Sequence, residues 1–200
     1  MDSKNDCEYV IKLLILGDST VGKTNFLYKY TENKFNQNYM ASTAIDLQTS
    51  KIKINGKNIK LQIWDTAGQE KYKSLTKSFL LKAQGILILY DVTNKTSFNN
   101  LQSWLLLVKE ECYSEIPIII VGNKKDLEDE RVIDKEEAIE YAKEENVLYI
   151  ETSSKTGENI EKTIHILTEN VLQKLDSNSD FSFTLDSGTI KKISRHKRCC

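Results

Sequence analysis

The stretch Gly17-Asp18-Ser19-Thr20-Val21-Gly22-Lys23-Thr24 sets two glycines five apart and closes on Lys and Thr. That spacing fits G-x-x-x-x-G-K-[ST], the loop that cradles phosphate. Its glycines let successive backbone N–H groups turn inward on an anion, and a helix opening directly behind adds its dipole. Gly17, Asp18, Ser19, Thr20, Val21, Gly22 and the following Asn25 are therefore expected at the phosphates. Lys23 would reach the β- and γ-phosphates, and the Thr24 hydroxyl would ligate Mg²⁺. A chance match in a chain of this length is expected about 1% of the time. The motif alone indicates a nucleoside triphosphate and no particular base.

Three further stretches narrow the chemistry. In Trp64-Asp65-Thr66-Ala67-Gly68-Gln69-Glu70, Asp65 can hold Mg²⁺ through water, the Gly68 N–H can meet a γ-phosphate, and Gln69 can orient an attacking water. In Asn123-Lys124-Lys125-Asp126, the Asp126 carboxylate can accept from N1–H and from the 2-amino group of guanine, which adenine lacks. Asn123 can read N7 and brace the loops, while the stem of Lys124 lies along the purine. Glu151-Thr152-Ser153-Ser154-Lys155 supplies a backbone N–H at Ser154 for the guanine O6. Each stretch alone is an ordinary polar loop; all four in this order select a guanine nucleotide.

The elements between them explain how they meet. Tyr9–Leu16, Gly85–Val92, Ile116–Gly122 and Val147–Thr152 are short apolar runs that read as buried strands. Helix-period segments lie near Lys23–Tyr30, Ser97–Glu111 and Lys135–Glu145, and a last one covers Asn159–Leu175 with Ile160, Ile164, Leu167, Val171 and Leu175 on one face. Asp134 and Glu137 have the spacing of a capping box. Ile52 and Ile54, then Ile59, Leu61 and Ile63, flank Asn55-Gly56 as a two-strand hairpin. The expected fold is α/β of the phosphate-loop NTPase type: a six-stranded, mostly parallel sheet with one antiparallel edge strand and helices on both faces. Every motif then falls at the carboxyl end of a strand, where open α/β sheets bind ligands.

The chain resembles the small GTPases of the Ras superfamily from about Val10 to Leu175, and within them the Rab proteins. "KLQIWDTAGQE", "KYKSLT", "LYDVT" (Leu89–Thr93) and the terminal Cys199-Cys200 carry the narrower likeness. The resemblance implies that Phe35 stacks against the guanine, that Tyr39 covers the phosphates, and that switch I spans Gln37–Leu47 and switch II Ala67–Thr76. "MASTAIDL" (Met40–Leu47) departs from the usual Rab sequence at that point. Aligned on Asp46 without a gap, Ser42 stands at the position of the Mg²⁺-binding threonine, eighteen residues after Thr24 and twenty-three before Asp65. Thr24, Ser42 and Asp65 thus form the implied metal set, and Gln69 the catalytic residue. The family likeness also assigns geranylgeranyl groups to Cys199 and Cys200. It implies as partners an exchange factor, a GTPase-activating protein, a GDP-dissociation inhibitor, the prenylation machinery and effectors, with the protein itself a monomer.

Composition agrees. The net charge of −1 includes +5 from Lys191, Lys192, Arg195, Lys197 and Arg198, with no acid after Asp186, leaving −6 on the rest. So acidic a body is unsuited to nucleic acid, which needs basic surface to displace counterions. Cys7 and Cys112 belong to no motif and read as packing residues; two histidines and no C-x-x-C argue against zinc. No leader or membrane-spanning run is evident. From Asp176 the sequence is rich in Ser, Asp and Lys, which reads as a flexible tail; Phe181, Phe183 and Leu185 alternate within it. The expected organisation is a flexible residue 1–8 segment, a GTP-binding domain over 9–175 and a tail over 176–200. Two lipid chains and a basic tail would place the protein on the cytoplasmic face of an intracellular membrane or the plasma membrane, cycling through the cytosol. The alternatives are a GTP-binding module with little useful hydrolysis and a phosphate-loop nucleotide phosphotransferase.

Overall fold

The computed structural model describes residues 7–36, 46–65, 73–112 and 115–182. Six strands form one sheet: β1 (Tyr9–Leu16), β2 (Asp46–Ile54), β3 (Lys57–Asp65), β4 (Gly85–Asp91), β5 (Ile118–Asn123) and β6 (Leu148–Glu151), in the order β2-β3-β1-β4-β5-β6. All neighbours are parallel except β2 and β3. That pair is the expected hairpin. Asn55 (φ 49°) and Gly56 (φ 82°) both take positive φ, as a two-residue turn matched to strand twist requires.

Two apolar layers follow from strand alternation. Ile11, Leu13, Ile15, Ile59, Leu61 and Ile63 face α1 (Lys23–Glu32) and α6 (Ile160–Ser182). Leu14, Leu16, Ile86, Ile88 and Ile120 face the other way, toward α2 (Lys73–Leu80), α3 (Lys95–Asn99), α4 (Leu101–Glu111) and α5 (Lys135–Glu144). The stripe expected on the last helix holds: Ile160, Ile164, Leu167 and Val171 are buried, and Leu175 packs at the margin. Cys112 is half-buried against the second layer, consistent with a packing role.

Several local expectations need correction. The single helix expected over Ser97–Glu111 is two, broken at Asn100, whose side-chain amide reaches Asp18 (2.7 Å). Asp134 does occupy the N-cap of α5 in extended conformation, but its side chain makes no capping hydrogen bond. Glu137 instead pairs with Lys95 (2.6 Å), so a tertiary ion pair displaces the capping box. Helix α2 was not anticipated. Helix α6 runs seven residues past Leu175, because Asp176 is held at the foot of the sheet by Lys57 (2.8 Å). Phe181 falls in its last turn; Phe183 and Leu185 lie outside the described residues. No described helix is long and apolar enough to cross a membrane.

Candidate nucleotide-binding site

The phosphate loop joins β1 to α1 at the carboxyl edge of the sheet. Gly17 has φ 133°, and a Cβ there would lie 2.2 Å from the Leu89 carbonyl oxygen, so the loop crosses β4 too closely for any side chain. Gly22 has φ 97°, and its Cβ would meet the Asn123 amide nitrogen at 2.4 Å. Both glycines of the motif are therefore demanded by geometry as well as by conformation.

Thr20 also takes left-handed backbone, φ 68°. A β-branched residue there is strained, at a cost of about 1–2 kcal/mol. Thr20→Gly should relieve that strain, offset by about 0.5–1 kcal/mol of added chain entropy. The expected net stabilisation is about 0.5–1 kcal/mol, read from the urea midpoint. A lower midpoint would mean that the threonine side chain makes compensating contacts.

Lys23 is buried, and its ammonium donates to the carbonyls of Gly17 (2.9 Å) and Asp18 (2.6 Å). Burial lowers its pKa to about 8, against the opposing pull of Asp65 and Asp18. The Asp18 carboxylate turns away from the loop. Its two oxygens accept from the Asn100 amide (2.7 Å) and the Trp104 indole N–H (2.9 Å), so α4 anchors the loop from behind. Asn25 likewise spends its side chain locally. It donates to the Asn36 carbonyl (3.1 Å) and accepts from the Asn36 N–H (3.3 Å), fixing the chain beside exposed Phe35.

Thr24 and Asp65 meet. The Thr24 hydroxyl donates to Asp65 Oδ2, while Oδ1, fully buried, has no hydrogen-bond partner among the described residues. Burial raises the Asp65 pKa to about 6, with Thr24 and Lys23 pulling it down. A buried carboxylate with an orphaned oxygen beside a threonine hydroxyl fits a hard divalent cation, which takes oxygen ligands.

The base-reading motifs converge on the same edge. Fully buried Asn123 donates to the Val21 carbonyl (2.8 Å) and accepts from Thr152 Oγ1 (3.2 Å), Ser154 N–H (3.2 Å) and Ser154 Oγ (3.1 Å). One amide thus ties the phosphate loop to the β5 and β6 loops. The Ser154 N–H expected at guanine O6 is here directed at Asn123 instead. Ser153 Oγ donates to Asp126 Oδ1 (2.6 Å) and Lys155 Nζ lies 3.9 Å from Oδ2, so the carboxylate is held from both sides. Lys124 takes φ 66° and its ammonium pairs with Asp91 (2.6 Å), which aligns the stem across the loop. The sequence motifs assign no individual role to Asp91, Thr152, Asn100 or Trp104. Only Asp91, at the end of a wholly buried strand, carried a visible signal. Tyr39, Ser42, Gly68, Gln69, Cys199 and Cys200 lie outside the described residues.

The family model described as Ras family matches residues 12–173. The chain belongs to the Ras family. Its similar relatives bear Rab names. It is 41% identical over 182 residues to Ras-related protein Rab-27B of Bos taurus, covering 86% of this chain and 84% of the relative. It is 36% identical over 190 residues to Ras-related protein Rab-8B of Homo sapiens, covering 95% and 92%. It is 37% identical over 198 residues to Ras-related protein Rab-10 of Diplobatis ommata, covering 99% of both. This Rab-type chain is a small GTPase.

Proposed function

We propose that this GTPase is a membrane-anchored molecular switch of intracellular vesicle traffic, binding GTP or GDP with Mg²⁺ and hydrolysing GTP slowly. The observation that carries the reading is the Asn123 amide, which gathers phosphate loop and guanine loops at one edge. Gly17 to Thr24 and Asn25 hold the phosphates; Asn123, Lys124, Asp126, Ser153, Ser154 and Lys155 frame the guanine, with Phe35 against its face and Tyr39 over the phosphates. Thr24, Ser42 and Asp65 hold Mg²⁺, which neutralises charge on the β- and γ-phosphate oxygens when bound. Gln69 orients the attacking water, and the Gly68 N–H contacts the γ-phosphate only while it is present. Loss of that contact on hydrolysis releases the switch segments, and partners read the difference.

The division into a 9–175 domain, a short leading segment and a 176–200 tail places the lipid signal apart from the site. Cys199 and Cys200 carry geranylgeranyl groups, and the basic tail adds attraction to an anionic leaflet. An exchange factor, an activating protein, a GDP-dissociation inhibitor, prenylation enzymes and effectors then act on a monomer cycling between cytosol and a cytoplasmic membrane face. Nucleotide preference with single-turnover hydrolysis tests the reading: GTP and GDP should bind far more tightly than ATP. Preference for ATP, or phosphate transfer to a second nucleotide, would replace the switch with a phosphotransferase.

Rate offers a sharper test. The phosphate loop and both switch segments contain no arginine. Arg131 is engaged by Glu128 (2.8 Å) and Glu151 (2.9 Å) behind the guanine loop. With no charge-stabilising arginine in cis, unassisted hydrolysis should run at about 10⁻⁴–10⁻² s⁻¹. Gln69→Leu should slow it further and keep the protein in its GTP form. Unassisted single turnover near about 1 s⁻¹, far above the unassisted range, would refute the proposal.

A further inference from the structure

Behind the guanine loops lies a polar chain that includes none of the residues assigned to the nucleotide. The hydroxyls of Tyr90 and Tyr149 are 2.9 Å apart, and Tyr149 donates to Glu151 Oε1 (2.9 Å). A carboxylate only accepts, so the single proton of Tyr149 is spent there. Tyr90 must therefore be the donor to Tyr149, and the chain runs in one direction. Arg131 closes it with two parallel bonds to Glu151 (2.9 and 3.2 Å), and also donates to Glu128 (2.8 Å) and the Ile133 carbonyl (3.1 Å).

The acid and the base of the chain border the loops that frame the guanine. Glu151 begins the Glu151–Lys155 stretch, while Arg131 and Glu128 follow the Asn123–Asp126 stretch. The two hydroxyls lie against Gly122, directly before Asn123. A Cβ on Gly122 would meet Tyr149 Oη at 2.7 Å and Tyr90 Oη at 2.9 Å. Tyr90 is fully buried and Glu151 nearly so. Burial pushes both phenols up, so both remain protonated donors. The rings also pack, 6.5 Å between centroids at 21°.

We propose that the chain Tyr90–Tyr149–Glu151–Arg131 is a positioning network that fixes the spacing of the two guanine-reading loops and so sets base discrimination and nucleotide residence time. This rests on the guanine-nucleotide reading above. None of the four is among the residues assigned to the nucleotide; they act through Asn123 and Asp126.

The test uses Tyr149→Phe in the full chain, with dissociation rates of GDP and of IDP, which lacks only the 2-amino group that Asp126 reads. Phe keeps the ring packing but strands the Tyr90 hydroxyl. GDP release should quicken by about 5- to 150-fold, the range for a buried donor left without its partner. IDP release should quicken less, so the preference for GDP narrows. Tyr90→Phe, which leaves no stranded donor, should shift the same ratio by a smaller factor. Val171→Ala, in the apolar layer on the opposite face of the sheet, serves as a thermal control; it should lower the melting temperature and leave the ratio unchanged. Equal acceleration of GDP and IDP in both tyrosine variants, or none, would overturn the network while leaving the guanine site intact. Wild-type protein that holds GDP no better than ADP would overturn both.

Discussion

Asp126→Ala is expected to weaken GDP binding by about 10²–10⁴-fold. Its carboxylate is the one group on the described edge able to accept from both N1–H and the 2-amino group of guanine. Two hydrogen bonds to a charged acceptor contribute about 1.5–3 kcal/mol each, so their joint loss is about 3–6 kcal/mol. The side chain is already oriented for the task. Ser153 Oγ lies 2.6 Å from Oδ1 and Lys155 Nζ 3.9 Å from Oδ2, so little freedom remains to be lost on binding. IDP offers only one of the two donors and should lose correspondingly less. Weak residual ATP binding should not change, because adenine offers neither donor. Equilibrium titration of the three nucleotides gives the comparison. If GDP and IDP lose affinity equally, Asp126 acts by shaping the loop and does not read the 2-amino group.

The parts of the site legible in the sequence are those fixed by local geometry. Gly17 and Gly22 had to be glycines because a Cβ would strike Leu89 and Asn123, and their spacing records that constraint. The Asn55-Gly56 turn was visible because positive φ at two successive positions leaves few residue choices. What stayed hidden depends on partners distant along the chain. The break at Asn100 coincides with its hydrogen bond to Asp18, eighty-two residues away. Helix α2 is anchored by buried Leu80 and by Phe79, which packs edge-on to Trp64 at 5.2 Å, a contact no local period announces. The capping box failed because Glu137 found Lys95 across the fold. The continuation of α6 past Leu175 stayed hidden for the same reason. Asp176 looks like the start of a polar run, yet Lys57 holds it from 119 residues away. Thr20 differs: its strain is local, but a pattern that leaves the position open gives no sign of φ 68°.

Replacing both Cys199 and Cys200 with Ser should move the protein from membranes to the soluble fraction while leaving GDP affinity unchanged. Each buried CH₂ contributes about 0.8 kcal/mol, and a single acyl chain anchors only marginally, so two prenyl chains separate stable attachment from none. The five bases from Lys191 to Arg198 can add up to about 1 kcal/mol each near an anionic leaflet. Alone, that attraction is screened within a Debye length and does not hold a protein in place. Replacing the bases should therefore weaken or redistribute binding, and a single Cys→Ser should fall between wild type and the double variant. The fold explains why the nucleotide site should not respond. Asp176 ties α6 to Tyr9 and Lys57, where β1 and β3 begin, whereas the phosphate loop and Asp65 lie where those strands end. Eight residues of strand separate the two ends of β1, about 25 Å at strand rise. The eighteen residues after Ser182 can reach about 60 Å further, so lipid and nucleotide can be engaged together without contact. Membrane retention of the double-Ser protein would defeat this reading, and loss of GDP affinity in the same variant would mean that the tail reaches back to the site.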